Sequence, residues 1–516
     1  MAKLTVFVTL ALLLTSSAWA ATIEWQGGNG SLNNAASWYI ITDAGNPSSR
    51  TGVTRMPVKY TGTYPGTMGD YALIRNGTTT TVDSSVNSQD FVLGGPQITG
   101  QTSGPATTMY VVSGGTLSLY SDDIDNGANL AIGSYYGGTV SMTGGFVDVY
   151  GRRAASTVVV GSSAAGGVLS MSGGLLQLRR AIVASPEFNV GGGSGAKGYV
   201  NQSGGTIKIS GAFEGSPYIT IGLGGYGEYN LSGGHVEEDG TVHVGYEDGT
   251  TPGTGVLNVS GGNFWTGYRM VVGDGATVAN VGVIRVTGGT LGGHEDGHIW
   301  LGRGMNETQA VPGSVGKMVL SQSGHLLHRG FFMGINGHTT DSTQMELKIN
   351  SMSNFDFFSE EAMMLAGTLE VSLTDGFRPT PGAAWKMAAV GLSHPAWAYT
   401  VDFDKVTPGF HAEKRGNDVY LVCDSLMRPG DANNDGAVNV GDLGILAANW
   451  QQQTILGKSW AEGDFTGDDV VNVGDLGVLA ANWGWSGAPA DSDAPEPASL
   501  ALLALGAIAL IRRRRG

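Results

Sequence analysis

The chain has 516 residues, room for about three domains, and 85 of them are glycine, about twice the usual share. Only 14% of the residues are charged and the formal net charge is −16 at pH 7, which argues against nucleic acid as a partner. The single cysteine, Cys423, excludes a disulfide within the chain, and we expect it to be a buried apolar residue rather than an exposed reactive thiol. This composition is typical of an extracellular scaffold or a calcium-binding protein.

Residues 1–20 predict a secretory signal peptide. Lys3 is followed by an apolar run from Leu4 to Leu14, and Ala18-Trp19-Ala20 forms a small-residue cleavage site before Ala21. A transmembrane helix is the alternative, but the run is shorter than the roughly 20 residues that span a bilayer. The chain is therefore expected to be exported.

Residues 21–106 are expected to form an N-terminal β cap. Trp25 and Trp38 lie near a glycine-rich stretch, and the apolar residues 72–74 precede a Thr-rich run. The tryptophans either close the open end of the sheets that follow or stack on sugars as aromatic platforms. This opening resembles the start of many autotransporter-like bacterial surface proteins.

Residues 107–344 contain an internal repeat of roughly 29 residues. An apolar residue followed by glycine marks one place in each unit, from Ile132-Gly133 to Met333-Gly334. Each unit also contains a second recurring phrase, and the residues around it alternate between apolar and polar, as in Val168-Leu169-Ser170-Met171. This alternation is the periodicity of a β-strand. The second phrase is a Ser or Thr before two glycines, and its copies, the last decayed to Ser-Gly-His, begin at Ser113, Thr143, Ser172, Ser203, Ser232, Ser260, Thr287 and Ser323.

The repeat predicts a mainly β fold: a right-handed parallel β-helix (solenoid) of about eight coils with β caps, followed by a small α-helical module. Residues 345–425 carry further alternating runs and are expected to form a β-rich C-terminal cap. A glycine-rich low-complexity tract is the alternative, against which the regular alternation argues. One inward apolar column is expected to contain Val140, Leu169, Val200 and Leu257.

The C-terminal module, residues 428–486, contains two calcium-loop patterns 33 residues apart. We expect two Ca²⁺ ions, the first loop binding more tightly because Gly436 adopts the positive φ of position 6 freely whereas Asp469 is strained there. Oxygen ligands are expected at positions 1, 3, 5, 7, 9 and 12: Asp431, Asn433, Asp435, Ala437, Asn439 and Asp442 in the first loop, and Asp464, Thr466, Asp468, Val470, Asn472 and Asp475 in the second.

Each loop leads into an amphipathic helical pattern, as in Leu443, Leu446 and Trp450. Duplicated loop-helix units with Asp at position 12 resemble the type I dockerin module. The resemblance implies a cohesin-like partner, but cohesin-binding dockerins commonly present hydroxyls at positions 10 and 11, where this chain has Val440-Gly441 and Val473-Gly474. A calcium-stiffened module with another surface partner, or none, is therefore the alternative.

Residues 487–494 are expected to be a linker and residues 495–516 a sorting tail. Pro495-Glu496-Pro497 precedes an apolar run from Ala498 to Ile511 and four arginines, Arg512 to Arg515. This order resembles the PEP-CTERM sorting signal, which implies an exosortase-type sorting enzyme as a partner. A permanent membrane anchor is the alternative, with the arginines on the cytoplasmic side.

A β-helical carbohydrate-active enzyme, a polysaccharide lyase or glycoside hydrolase, is the alternative to a non-catalytic protein. Its chemistry needs carboxylates or bases converging on one face of adjacent coils. The candidates are His243, a cluster of His235 with residues 237–239, and a cluster at 294–298 that includes His298. Zinc at the last cluster is weighed against solvated turn residues, which are the more common role.

The sequence thus predicts an exported, non-catalytic surface or matrix scaffold carrying a calcium-binding, dockerin-like interaction module. Its candidate partners are an exosortase-type sorting enzyme, a cohesin-like or other surface protein, and an extracellular polysaccharide.

Overall fold

The computed structural model describes most of the chain between residues 22 and 486. The signal peptide, the linker and the sorting tail expected from the sequence lie outside the described residues. The described residues are 22–25, 27, 29–33, 35–41, 50–54, 71–74, 78–88, 90–93, 106–121, 127–152, 155–180, 185–211, 218–275, 277–293, 297–302, 311, 313–333, 343–391, 399–425 and 428–486.

The first part of the chain forms short strands. Ala35–Ser37 forms a 3₁₀ turn among them. The strands are β1 (Thr22–Trp25), β2 (Gly30–Ser31), β3 (Trp38–Ile41), β4 (Arg50–Thr54), β5 (Tyr71–Ile74), β6 (Thr79–Val82), β7 (Ser85–Ser88) and β8 (Asp90–Leu93).

Strands also occupy the repeat region, and several of them are long enough to bend through a corner. They are β9 (Thr107–Val111), β10 (Thr116–Ser121), β11 (Ala128–Ile132), β12 (Gly138–Gly151), β13 (Ser156–Val160), β14 (Gly167–Arg180), β15 (Glu187–Val190), β16 (Lys197–Gln202), β17 (Thr206–Ser210), β18 (Tyr218–Leu223), β19 (Tyr226–Glu238), β20 (Thr241–Tyr246), β21 (Thr254–Thr266), β22 (Arg269–Asp274), β23 (Val281–Val286), β24 (Thr290–Gly293), β25 (His298–Leu301), β26 (Val315–Ser321) and β27 (His325–Met333).

The last part of the chain adds strands and then helices. The strands are β28 (Thr343–Ile349), β29 (Asp356–Leu373), β30 (Ala384–Val390), β31 (Tyr399–Val406), β32 (Phe410–Arg415) and β33 (Asp418–Cys423). The helical segments of the C-terminal module are α1 (Val440–Ala448), α2 (Val473–Ala481) and a 3₁₀ turn at Trp460–Glu462.

Most of the strands pair in three parallel ladders, in which a strand lies between its equivalents in the preceding and the following coil. The first ladder contains β6, β9, β12, β14, β16, β19, β21, β23, β26, β28 and the end of β29. The second runs from β7 and β10 to β27, β29 and β30. The third runs from β5, β8 and β11 to β25, β27, β29 and β31.

The architecture is a right-handed parallel β-solenoid, which confirms the predicted β-helix. Among the described residues, nine consecutive turns lie between residues 107 and 366, compared with the eight predicted. The ladders also continue outside the repeat region, since β6 to β8 form a further turn before it. That turn has Asp83-Ser84 at its corner instead of a glycine pair, because alternation of apolar residues, rather than the glycine phrase, holds a coil together.

The solenoid interior is a column of apolar side chains contributed by equivalent positions. Val140 pairs with Leu169, and Leu169 with Val200, in continuous register along the first ladder. Leu257 lies two coils further on, beyond Tyr229. All of these side chains are buried, so the inward column predicted from the repeat is confirmed.

The glycine pairs form the corner between the first and second ladders. Gly174 has φ +85°, and a Cβ there would lie 2.5 Å from the carbonyl oxygen of Gly144 in the preceding coil. Any larger residue at this corner is therefore both strained and obstructed. This explains why the phrase recurs at one place per coil.

Antiparallel strand pairs occur at both ends of the solenoid. At the N-terminal end, Trp38 is fully buried and its Nε1 donates to the Leu32 carbonyl at 3.0 Å, which excludes sugar stacking for this ring. The Trp25 side chain lies outside the described residues. At the C-terminal end, β33 pairs antiparallel with both β30 and β32, and Trp385 and Cys423 are buried there. The prediction that Cys423 is a buried small residue is confirmed.

Candidate metal centre

Two equivalent helices organise the C-terminal module. Asn439 caps α1 by accepting from Gly441 N at 2.7 Å, and Asp442 in turn accepts from Asn439 N at 2.9 Å. Asn472 and Asp475 cap α2 in the same way. This reciprocal capping fixes the end of each loop to the start of its helix.

The first loop, residues 431–442, folds around two buried carboxylates. The Asp431 carboxylate accepts from Asp435 N at 3.1 Å and Gly436 N at 3.0 Å. Asp442 Oδ1 accepts from Ala432 N at 2.8 Å. Asp431 is 2% exposed and Asp442 fully buried, so both carboxylates are held by backbone donors rather than by water.

The second loop, residues 464–475, repeats this arrangement. Asp464 accepts from Gly467 N at 2.7 Å and Asp469 N at 2.8 Å, and Asp475 Oδ1 accepts from Phe465 N at 2.8 Å. Oxygens of Asp464, Asp468 and Asp475 lie within 4.8 Å of one another. In the described part of the chain, no other three acidic, His or Cys side chains converge in this way.

The residue at position 6 has positive φ in both loops. Gly436 has φ +83° and Asp469 has φ +70°. A non-glycine residue in this region carries strain. Both loops therefore have the backbone conformation expected at position 6. They differ, as expected, because a glycine occupies this position in the first loop and a strained Asp in the second.

The remaining predicted ligand residues lie around these carboxylates. Asn433 Nδ2 donates to Asp435 Oδ2 at 2.9 Å in the first loop, and Ala437 bridges to Ser486. In the second loop, Thr466 Oγ1 donates to Asp475 Oδ1 at 3.1 Å and Asn472 Nδ2 to the Val470 carbonyl at 3.2 Å. The structure thus brings together the three acidic residues predicted for the second loop, whereas those of the first loop, Asp431, Asp435 and Asp442, do not converge within the same distance.

Burial and neighbouring carboxylates oppose ionisation of Asp464 and Asp431. Burial, and next the neighbouring Asp475 carboxylate, raise the pKa of Asp464 to about 7. Burial is also the main cause that raises the pKa of Asp431, partly offset by the hydrogen bond from Gly436 N. A divalent cation would reverse this effect, since it favours the ionised form. The candidate metal-ligand atoms are all oxygens, which fits a hard cation such as Ca²⁺.

The module packs against the side of the solenoid, and sequence reasoning missed the residues that hold it. Arg285, Lys317 and Lys348 project from β23, β26 and β28 and donate to module carbonyls. They are 32 and 31 residues apart, close to the repeat period. This regular spacing would allow a row of basic side chains along the solenoid to be predicted from the sequence. The neighbouring residues, however, do not indicate what the row contacts.

The catalytic candidates that the structure describes differ in exposure and in their contacts. Glu237 points outward and pairs with Lys208 at 2.8 Å, whereas the next residue, Glu238, is fully buried inside the solenoid. His243 is buried with its ring centroid 4.4 Å from that of Tyr246. Residues 294–296 lie outside the described residues, and His298 is 8% exposed.

An open polar groove runs along the first ladder beside the glycine corners. Its volume is about 320 Å³. Asn201, Asn230 and Asn258 form a ladder of amide hydrogen bonds on this face, at 3.1 and 2.7 Å. The groove is lined by Ser141, Ser170, Met171, Ser172, Asn201, Gln202, Ser203, Asn230 and Ser232.

Residues 493–515 match the family model of the PEP-CTERM protein-sorting motif. The PEP-CTERM motif implies export and sorting to the cell surface, and it is of the kind that exosortase-type enzymes recognise. No curated protein and no solved structure shows significant similarity to the chain. Among the described residues, no helix has the length and apolar character needed to cross a membrane.

Proposed function

We propose that the protein is an exported, non-catalytic surface scaffold, whose solenoid is a rigid spacer and whose C-terminal module is a calcium-binding, dockerin-like unit. The observation that carries this proposal is the PEP-CTERM motif at the end of a chain that is mostly solenoid. A sorting motif delivers the chain to the surface, and a continuous ladder resists bending there. Residues 1–20 serve as the signal peptide in this proposal.

Features shared by the two loops support the calcium assignment. Asp431 and Asp464 have equivalent backbone donors, and Asp442 and Asp475 both cap the following helix. Three carboxylates packed within 4.8 Å in the second loop repel one another unless a cation or protons neutralise them. When bound, Ca²⁺ supplies this neutralising charge and ties each loop to its helix.

The surface of the module favours a partner other than an ordinary cohesin. Val440 is 73% exposed and Val473 is 74% exposed, so positions 10 of both loops present apolar side chains to solvent. Exposed alanines follow at 447–448 and 480–481, where basic residues are usual in cohesin-binding dockerins. The module therefore offers an apolar contact surface, which fits another surface protein.

The polar groove of the solenoid supports a polysaccharide as a second partner. Amide and hydroxyl groups, such as those of Asn201, Asn230 and Ser170, are the groups that hydrogen-bond sugar hydroxyls. The matrix outside a cell supplies such chains. In this proposal the groove binds a polysaccharide strand without cleaving it.

Calcium titration of the full chain tests the calcium assignment. We expect two sites in the wild type and one in each of Asp431→Ala and Asp464→Ala, with a higher melting temperature in calcium because the ion binds only the folded module. Glu237→Ala, which changes an outward-facing residue of the solenoid, is the control. Absence of calcium uptake by the wild type contradicts the proposal.

Incubation with acidic and neutral polysaccharides, with and without calcium, tests the scaffold role. Retention on an immobilised polysaccharide without shortening of the chain is expected. Release of shortened products identifies an enzyme instead.

In cells, removal of residues 493–515 is expected to abolish surface display, and unchanged display contradicts the sorting role of the tail.

A further inference from the structure

The C-terminal module is docked on the first ladder of the solenoid. Lys317 is 2% exposed, and its ammonium group contacts Glu346 and Glu370 at 2.9 Å each and donates to the Leu456 carbonyl at 2.8 Å. An ammonium group has three donors, so one of them is assigned to the module. Arg378 lies over the Trp460 ring at 5.8 Å. The contact is thus made of specific polar and aromatic groups.

The second loop of the module contacts this face directly. Lys348 Nζ donates to the Gly467 carbonyl at 3.0 Å and to Asp469 Oδ1 at 2.9 Å. Arg285 Nε lies 3.7 Å from Asp469 Oδ2, and its Nη2 donates to the Ile455 carbonyl at 2.6 Å. A Cβ at Gly467 would lie 2.6 Å from Thr374 Cγ2, which shows how tightly this loop fits the solenoid.

The same two loop residues hold a predicted calcium ligand. Gly467 N and Asp469 N donate to the Asp464 carboxylate on one side, while Lys348 binds Gly467 and Asp469 on the other. Asp469 is also the residue with strained φ, +70°. Lys348 and Arg285 therefore hold the strained position in the conformation that presents Asp464.

We propose that Lys348 and Arg285 are positioning residues for the second calcium loop, so that calcium binding there and docking of the module on the solenoid strengthen each other. The inference rests on the proposed calcium function. Because the coupling is reciprocal, a docked module binds calcium more tightly and calcium holds the module docked. The Asp469 carboxylate pairs with both cations and offsets one of their two positive charges, which reduces their repulsion of a bound calcium ion.

The test compares the full-length wild type with Lys348→Met/Arg285→Gln, each also carrying Asp431→Asn so that the second loop is measured alone. Titration calorimetry is expected to show calcium affinity at least five-fold weaker in the variant. A variant with Lys348→Arg in place of Lys348→Met keeps the positive charge and the hydrogen-bond donors. It should regain most of the calcium affinity. Lys208→Met, which breaks the outward pair with Glu237, is the matched control and should leave the affinity unchanged.

Limited proteolysis of chains with both loops intact supplies a second measurement. Calcium should protect the wild type from cleavage between residues 424 and 430, and this protection should be lost in the double variant. If the wild type binds two ions while the double variant keeps its affinity within two-fold and its protection, the coupling is wrong and the calcium function stands. If the wild type binds no calcium, the calcium function and the coupling both fail.

Discussion

The Tyr229 hydroxyl donates a hydrogen bond of 2.5 Å to Gln202 Oε1 inside the solenoid, joining two successive coils. Gln202 Nε2 donates in turn to the carbonyls of Gly205 and His235, at 3.2 Å each. Burial raises the pKa of Tyr229, so its hydroxyl keeps its proton over the whole physiological range. This polar link replaces an apolar contact in an otherwise aliphatic column, and every group in it has a partner.

Replacing Tyr229 with Phe should lower the free energy of unfolding by about 1–3 kcal/mol, because Gln202 Oε1 then lacks its buried donor. The ring packing against Phe264, at 5.8 Å between centroids, is retained. Chemical denaturation measures the change. In a double-mutant cycle, the losses of unfolding free energy in Tyr229→Phe and Gln202→Leu should sum to more than the loss in the double variant. Strict additivity would mean that the hydrogen bond between these side chains contributes nothing.

Inward-facing polar residues mark the limit of what the sequence predicts about the core. Alternation and the recurring glycine corner were sufficient to place Leu169 and Val200 inside, since both features repeat in every coil. Sequence reasoning places Glu238 among the candidate catalytic residues, which need access to a substrate, but its side chain is fully buried. Its partner in the preceding coil is Ile209, so aligning the repeats residue by residue would have shown that it points inward.

Leu169→Asp should destabilise the solenoid by on the order of 4 kcal/mol, because it buries a charge without a partner. Leu169 is 1% exposed between Val140 and Val200. Ser170→Asp, one residue further on the outward face, is the control and should change stability little. Thermal melts followed by circular dichroism compare them, and equal melting temperatures for the two variants contradict the assigned register.

Glu238→Gln should stabilise the protein increasingly as pH rises from 5 to 8. Burial raises the pKa of Glu238 well above its usual value, so above pH 4.5 the unfolded chain has lost a proton that the folded chain keeps. The unfolded state then binds fewer protons, and wild-type stability falls by up to about 1.4 kcal/mol per pH unit until the folded pKa is reached. Glutamine has no such dependence.

Unfolding free energies of wild type and Glu238→Gln across this pH range measure the effect. The Gly240 N–H donor to Glu238 Oε1, at 2.8 Å, remains available to the amide oxygen of glutamine. Glu237→Gln, on the outward face, is the control. Parallel curves for wild type and Glu238→Gln would mean that Glu238 is not neutral in the folded protein.

The two calcium loops should differ most when the module is released from the solenoid. In the Lys348→Met/Arg285→Gln background, the first loop should bind calcium about five-fold more tightly, because strain at Asp469 costs about 1 kcal/mol that Gly436 avoids. Calorimetry of Asp431→Ala and Asp464→Ala in this background assigns the sites. If Asp464→Ala removes the tighter site, the ranking is wrong.

The mature surface form should lack the arginines at 512–515. The PEP-CTERM motif covers residues 493–515. In this proposal, an exosortase-type enzyme recognises the motif and removes the tail that contains these arginines. Mass spectrometry of the C-terminal peptide from surface-exposed protein decides the matter. Recovery of an intact C-terminus points to a permanent anchor.

Docking of the module could not be predicted from the sequence, for a physical reason. Lys348 and Gly467 are 119 residues apart, and no periodic pattern relates a solenoid face to a loop of different fold. The loops themselves could be located because the proposed ligand residues alternate over only 12 positions around one turn. Short-range spacing thus indicates the proposed site, while its setting depends on long-range contacts that leave no local pattern.

In the described part of the solenoid, each coil pairs with the coil before it and the coil after it, as Leu169 does with Val140 and Val200. A segment of about 30 residues can therefore be lost or duplicated between equivalent points while both ends keep suitable neighbours. Such events would change the reach of the protein in whole steps of about 4.8 Å, without altering its cross-section or its terminal parts. Related chains should accordingly differ in length by whole units, so that recombination rather than point substitution sets how far each one extends.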